Sequence, residues 1–342
     1  MKTFSNPSVA IVGATGAVGT TMLSILEERV FPISDLRLIA SSRSVGNVIE
    51  TTWGSIVVED LDTVDPAGVD IALFSAGGAR SLEYAPHFAS AGASVIDNSS
   101  AFRMDDTVPL VVAQVNDEAI RSHEGIIANP NCTTMVIMMA AGPLHAAAGL
   151  RTMFATSYQS VSGSGHTGIA QLASEIDHFD SQRSNLVTGG WDEPDGDLYT
   201  RPIAYNVLPL AGSIAVVGYT DEEWKLVNES RKILDRDDIA VEPTCVRVPV
   251  MDGHGISASM WFDRRVDLDE AVAVLGSAPG MQLWDDTKVP TPLDSAGIDD
   301  ILVGRLRETI GFPGGISLFA IGDNLRKGAA LNAVQLAELL LA

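Results

Sequence analysis

The chain has 342 residues, 46% hydrophobic and 19% charged, which supplies apolar material for large cores and exceeds the usual length of one, so two domains are expected. Its 44 Asp and Glu against 22 Lys and Arg leave a net charge of −22, which argues against nucleic acid or an anionic membrane as partner and requires a few well-placed Arg or Lys residues if the substrate is an anion. Two cysteines give neither a disulfide framework nor a zinc spacing, no metal site is expected, and the start "MKTFSNPSVAIVG" lacks a secretory pattern, so a cytoplasmic setting is expected.

The first element is "SVAIVGATGAVGTTMLSILEERV", which reads strand (Val9–Val12), glycine-rich turn, helix. Gly13, Gly16 and Gly19 have the spacing G-x-x-G-x-x-G, which permits a tight turn and brings a pyrophosphate against backbone N–H groups at a helix N-terminus. A strand–helix turn that binds nothing is the alternative. A second strand, Leu36–Ala40, ends in Ser41, Ser42, Arg43 and Ser44. An NAD site usually carries Asp or Glu here, whereas an Arg accommodates a 2′-phosphate, so the cofactor is read as NADP. An incidental Arg on a solvated loop is the alternative. Strands follow at 70–78 and 93–100, with helical spacing between them, and the alternation implies a doubly wound, Rossmann-type parallel sheet. Ser75 and Gly77 stand at the C-terminal end of the third strand, where such sheets bind ligands.

"IIANPNCTTMVIMMAAGPLHAAA" places Cys132 between an Asn-Pro-Asn turn and an apolar helix. Pro130 stiffens the turn, and a thiol at a helix N-terminus feels the positive end of the dipole, so a thiolate of pKa near ~7 is expected. A buried structural cysteine is the alternative, and it is the reading for Cys245 in the strand-like "VEPTCVRVPV". The apolar run around 135–150 is broken by Gly142, Pro143 and His145 and reads as a buried helix, not a membrane span. A nucleophilic cysteine beside a nicotinamide site implies chemistry between aldehydes and acyl derivatives through a thioester.

With "GATGAVG", "SSRSVG", "DNSSAFRMDDTVPLVVAQVN", "ANPNCTT", "YQSVSGSG", "TDEEWKLVNESRKIL", "RVPVMDGHG" and "DNLRKGAALNAVQLAELL" in order, the chain resembles the aspartate-β-semialdehyde dehydrogenase family over nearly its whole length. The resemblance implies NADPH-dependent reduction of aspartyl phosphate to aspartate semialdehyde and phosphate, toward lysine, methionine and threonine. It implies Cys132 as nucleophile, Gln159 as the residue orienting the bound intermediate, and His254 as acid/base catalyst. Arg247 would grip the substrate carboxylate and Glu222 would meet its ammonium, while Arg103, Asn131 and Lys225 would hold the phosphate. Thr15, Gly16, Ala17, Val18, Arg43, Ser44, Ser162, Gly163 and Asn324 would contact NADP. The physics of the residues agrees: Arg247 offers a planar fork, Arg103 and Lys225 a local positive patch, and Glu222 and Lys225 share a helix face. On pattern alone that pair reads equally as a solvated helix face and Arg247 as an edge-strand charge. His254, between two glycines after a strand at 246–250, is expected to be exposed and close-approaching with a pKa near ~6.5; His166 is its rival.

The expected division is 1–131 with 323–342 as the NADP-binding domain and 132–322 as an α+β catalytic and dimerisation domain, the last helix (324–342) packing back on the first. The segment 180–202 reads as a long loop that covers the site or contacts a partner, and the short apolar "IAVVGY" before "TDEEWK" departs from the longer polar loop expected there. A homodimer is implied, with a tetramer as the alternative. The rival enzyme reading is N-acetyl-glutamyl-phosphate reductase, and the non-enzymatic one a catalytically silent NADP-binding regulator.

Overall fold

A computed structural model of the chain describes residues 3–341. The chain-order elements are β1 (Ser8–Val12), α1 (Ala17–Glu28), β2 (Asp35–Ala40), the hairpin β3 (Val48–Thr51) and β4 (Gly54–Val57), β5 (Glu59–Asp60), β6 (Ile71–Phe74), α2 (Gly78–Ser90), β7 (Ser94–Asp97) and β8 (Ile126–Ala128). The chain continues through α3 (Cys132–Ala148), β9 (Leu150–Gln159), α4 (Gly165–Asp180), α5 (Arg183–Thr188), α6 (Asp221–Ile233), β10 (Ala240–Arg247) and β11 (His254–Phe262). It ends with α7 (Leu268–Ser277), β12 (Met281–Leu283), α8 (Pro292–Ser295), β13 (Ile301–Glu308), β14 (Ile316–Gly322) and α9 (Leu331–Glu338).

Strands β5-β2-β1-β6-β7-β8 form one sheet, parallel throughout. From β1 the chain winds one way to β2 and β5, then returns across β1 to β6, β7 and β8. The strand order therefore reverses between β1 and β6, and ligands of such sheets sit in the crevice at that reversal. Gly13 and Ser75 lie at its mouth. Gly13 has φ +91° and a Cβ there would stand 2.3 Å from the Ser75 carbonyl oxygen, so only glycine allows the two strand ends to approach. A Cβ on Gly19 would stand 2.1 Å from Gly13 O, so this glycine lets α1 pack onto its own turn.

The second sheet is mixed, in the order β10-β9-β11-β14-β13-β12. Between the sheets runs α3, apolar on every side and buried over most of its length, and one hydrophobic cluster continues from the first sheet through α3 to the second. A separate cluster fills the other face of the first sheet, beneath α1 and α9. The chain's last segment therefore packs on the first sheet, although it follows the last strand of the second.

Several expectations are corrected. The third and fourth strands are four residues each, Ile71–Phe74 and Ser94–Asp97, shorter than the 70–78 and 93–100 expected. The last helix does not start at Asn324: Asp323 Oδ1 accepts from the N–H groups of Leu325 and Arg326, a π-helical turn spans Arg326–Ala330, and α9 follows. Segment 180–202 is not wholly loop, since α5 forms within it. His254 does not follow a strand at 246–250. It opens β11, after β10 ends at Arg247. The division at 131/132 and 322/323 is a proposal, in which Met1, Lys2 and Ala342 lie outside the described residues.

Candidate active site

Cys132 is the first residue of α3. The helix starts here because Asn131 caps it: its side-chain oxygen accepts from the N–H groups of Thr133 (2.9 Å) and Thr134 (3.4 Å). The thiol lines a cavity of about 370 Å³ between the two sheets. Gly16, Ala17, Val18 and Ser75 line it, together with Arg103, Asn131, Glu222 and Lys225. Ser162, Gly163 and Asn324 also line it. A Cβ on Gly328 would stand 3.1 Å from Cys132 Cβ, so a glycine in the π-helical turn makes room for the nucleophile candidate.

A second cavity, of about 180 Å³, shares Gly16 and Ser75 with the first and continues along Gly13, Thr15, Ser41 and Arg43. The Thr15 and Ser44 hydroxyls lie 3.1 Å apart and tie the glycine-rich turn to the turn after β2. Gly77 lines neither cavity. It is the residue before α2, with φ +86°. The groove fits a dinucleotide: it starts at the N-terminus of α1 and passes the strand-order reversal. It then reaches Asn98, whose side-chain N and O have no partner among the described residues.

Three candidates lie behind the wall. His254 is 0% exposed, where an exposed side chain was expected, because β11 is flanked by β9 and β14. Its Nδ1 accepts from the Ser160 N–H at 3.1 Å, which leaves the proton on Nε2. Nε2 has no partner among the described residues and lies against Gly163, where a Cβ would stand 3.2 Å away. Burial, and then the Arg247 charge, push the imidazole pKa well below its usual value, correcting the near-neutral expectation. The rival His166 is exposed on α4. Gln159 ends β9 and is 1% exposed, donating to Ser157 Oγ. Arg247 donates to Ser160 O at 2.7 Å, sits 6.0 Å from the centre of the Tyr199 ring, and lines a third cavity of about 250 Å³ with Ser164, Tyr199 and Leu208.

The positive patch is largely neutralised by the protein itself. Arg103 donates to Asn129 O (2.9 Å), Asn98 O (2.8 Å) and Glu229 Oε1 (3.0 Å). Glu229 Oε2 accepts from the Asn131 N–H at 2.7 Å. Lys225 Nζ donates to Glu222 Oε1 (2.6 Å) and Asp221 Oδ2 (2.7 Å), and Asn131 Nδ2 donates to Glu222 Oε2 (3.0 Å). Burial works against the Lys225 ammonium, but Glu222 and Asp221 outweigh it and its pKa is raised. Burial together with Glu222 also reverses the expectation for the nucleophile. Burial, and then Glu222, push the Cys132 thiol up to about 11, against the smaller opposing pull of Arg247 and Arg103. The helix end alone does not make a thiolate here.

Glu229 was missed, yet Glu222, Lys225 and Glu229 follow helical spacing on α6, and that spacing was the available signal. Asn98 had no signal beyond its place after a strand. The tongue "IAVVGY" is exposed at Ile214 (67%) and Val217 (85%), beside α6, not a cover over Cys132. Among the described residues no group of three or more His, Cys, Asp or Glu is placed to hold a metal, and no helix is long and apolar enough to cross a membrane.

Family models described as the semialdehyde dehydrogenase NAD binding domain and dimerisation domain match residues 8–123 and 142–327. An aspartate-semialdehyde dehydrogenase of Corynebacterium glutamicum is 50% identical, covering 97% of this chain and 99% of that protein. One of Streptomyces akiyoshiensis is 51% identical, covering 98% of each. The crystal structure of aspartate semialdehyde dehydrogenase II from Vibrio cholerae in complex with ASA has a TM-score of 0.91 at 42% identity and covers 98% of both chains.

Proposed function

The chain belongs to the aspartate-semialdehyde dehydrogenase family, and from that premise we propose that it reduces aspartyl phosphate with NADPH to aspartate semialdehyde and inorganic phosphate, through a thioester on Cys132. The reaction serves lysine, methionine and threonine biosynthesis. The observation that carries this reading is the position of Cys132, at a helix start in a cavity that both the glycine-rich turn and the Arg103–Glu222–Lys225 cluster line.

The Cys132 sulfur attacks the acyl carbon, the C–O bond to phosphate breaks, and the thiol proton leaves with the phosphate. The substrate ammonium meets Glu222 and removes the charge that most opposes ionisation of the thiol after burial itself. Displacing Glu222 from Lys225 also frees that ammonium, which with Asn131 and Arg103 receives the departing phosphate. The substrate carboxylate takes the fork of Arg247. Bound NADPH supplies the hydride to the thioester carbonyl carbon. His254 is not the base that forms the thiolate. Its Nε2–H donates to the oxyanion, and the C–S bond then breaks to release aldehyde and Cys132 thiolate. Gln159 holds the acyl group from the end of β9.

The groove's adenosine end supports NADP over NAD: β2 ends at Ala40 and is followed by Ser41, with no carboxylate at either position, and Arg43 is exposed with no ion pair among the described residues. The outward face of the second sheet carries Phe154 (50% exposed) and Tyr158 (39%), packed against Trp261 and Phe319, and supports a homodimer through this face, with a tetramer as the alternative. The two free cysteines suit a reducing cytoplasm.

The test is absorbance at the nicotinamide band with aspartate semialdehyde, phosphate and NADP, then NAD, then with N-acetyl-glutamate semialdehyde as substrate. Phosphate-dependent NADP reduction with the first aldehyde alone is expected. Preference for the acetylated aldehyde would transfer the chain to N-acetyl-glutamyl-phosphate reduction, and tight NADPH binding without turnover would make it a silent regulator.

A further inference from the structure

The adenosine end of the groove holds a second arginine. Arg80 is the third residue of α2 and lines the 180 Å³ cavity with Thr15, Ser41 and Arg43. In an open parallel sheet the ribose of a dinucleotide lies here, beyond the C-terminal end of the second strand. The guanidinium is held in place: Nη1 donates to Asp62 Oδ1 at 3.2 Å, and the same oxygen accepts from the Tyr84 hydroxyl at 3.0 Å. Arg80 and Tyr84 are four apart on one face of α2, so the Asp62 segment after β5 fixes the start of that helix. One N–H of five is used in this bond. The rest of the guanidinium has no partner among the described residues, and the side chain is 38% exposed.

A 2′-phosphate carries close to two negative charges at neutral pH. One exposed guanidinium, screened by water and opposed by a protein of net charge −22, holds it weakly. Two guanidinium groups approaching from different elements surround it, and the first-turn amides of α2 add to the same field. We infer that Arg80 is a specificity-determining residue of the reaction, clamping the ribose 2′-phosphate of NADP together with Arg43. The inference rests on NADP being the cofactor.

The test compares kcat/KM with NADP and with NAD for the full-length protein, Arg80→Met and Arg80→Lys, using aspartate semialdehyde and phosphate. Arg80→Met is expected to lower the NADP-to-NAD ratio about 10-fold or more, as for loss of one charge-assisted hydrogen bond. Arg80→Lys is expected to restore the ratio in part, which also shows that the Met variant's loss is one of charge and not of folding. Competition by 2′,5′-ADP over 5′-AMP should weaken in parallel. Equal losses with both cofactors would assign Arg80 to packing against adenine and overturn the inference. A wild-type protein that prefers NADP while Arg80→Met keeps the full ratio also overturns it and leaves the cofactor reading intact. A wild-type protein with no preference for NADP overturns both.

Discussion

Replacing Glu222 by Gln should make the nucleophile more reactive toward an alkylating agent and the enzyme less active. With its pKa pushed up to about 11, the resting Cys132 thiol is overwhelmingly protonated at pH 7. Glu222 contributes to that value from within the same cavity, and its amide isostere keeps the volume while removing the charge. A unit charge across such a site, at an effective dielectric near 20, is worth about 1–2 kcal/mol, or about one pKa unit. The change also frees Lys225 from a carboxylate at 2.6 Å, and a freer ammonium acts in the same direction. The sign is therefore fixed: the anion raises the thiol pKa, and removing it lowers it. Iodoacetamide alkylation of the substrate-free protein, followed against pH, should be about 10-fold faster at pH 7–8 in Glu222→Gln than in wild type. Cys245 is buried, with a thiol pushed up to about 12, and serves as the slow internal reference. The KM for aspartate semialdehyde should rise, because the substrate ammonium loses its partner. A wild-type alkylation pKa near 7, or one that Glu222→Gln leaves unmoved, would refute the reasoning that burial and Glu222 set the resting state of the thiol.

Cys132→Ala should abolish turnover while NADPH still binds, measured by nucleotide fluorescence; retained turnover would end the thioester scheme. Glu229→Gln leaves the buried Arg103 charge without its partner and should cost about 3 kcal/mol in urea unfolding, and a cost below about 1 kcal/mol would show that water reaches the pair. The folded His254 pKa lies below its unfolded value, so the unfolded chain takes up the proton first. The stability from keeping this ring neutral is full above about pH 6.5 and is lost as pH falls toward the folded value. His254→Gln should flatten the fall in Tm between pH 7 and 5, and an unchanged slope would remove His254 from that titration. Gly13→Ala, at φ +91° and 2.3 Å from Ser75 O, should weaken NADPH binding more than Gly16→Ala, where the nearest atom is 3.4 Å away; equal effects would discount the close approach of β1 and β6.

Much of this molecule was legible in its amino-acid order, because the patterns concerned act within a few residues. Alternating strands and helices gave the parallel sheet. The glycines after β1 gave the turn, and Asn131 with Cys132 gave the helix start. The spacing of Glu222 and Lys225 placed two charges on one face of α6 before any contact was known, whereas Glu229, one turn further along the same helix, went unread. What the sequence did not contain is the electrical state of those groups. Arg103 reads as a free cation but meets Glu229, 126 positions away, and the carbonyls of Asn129 and Asn98 accept two more of its five N–H groups. His254 reads as exposed between two glycines, but β9 and β14 cover it and the Ser160 N–H chooses its tautomer. Cys132 reads as a thiolate from the helix dipole alone, but desolvation between the sheets and the Glu222 charge push its pKa up instead. Backbone geometry is written locally. Desolvation and charge pairing depend on which distant segments fold against one another, so only the tertiary structure decided how the site rests before substrate arrives.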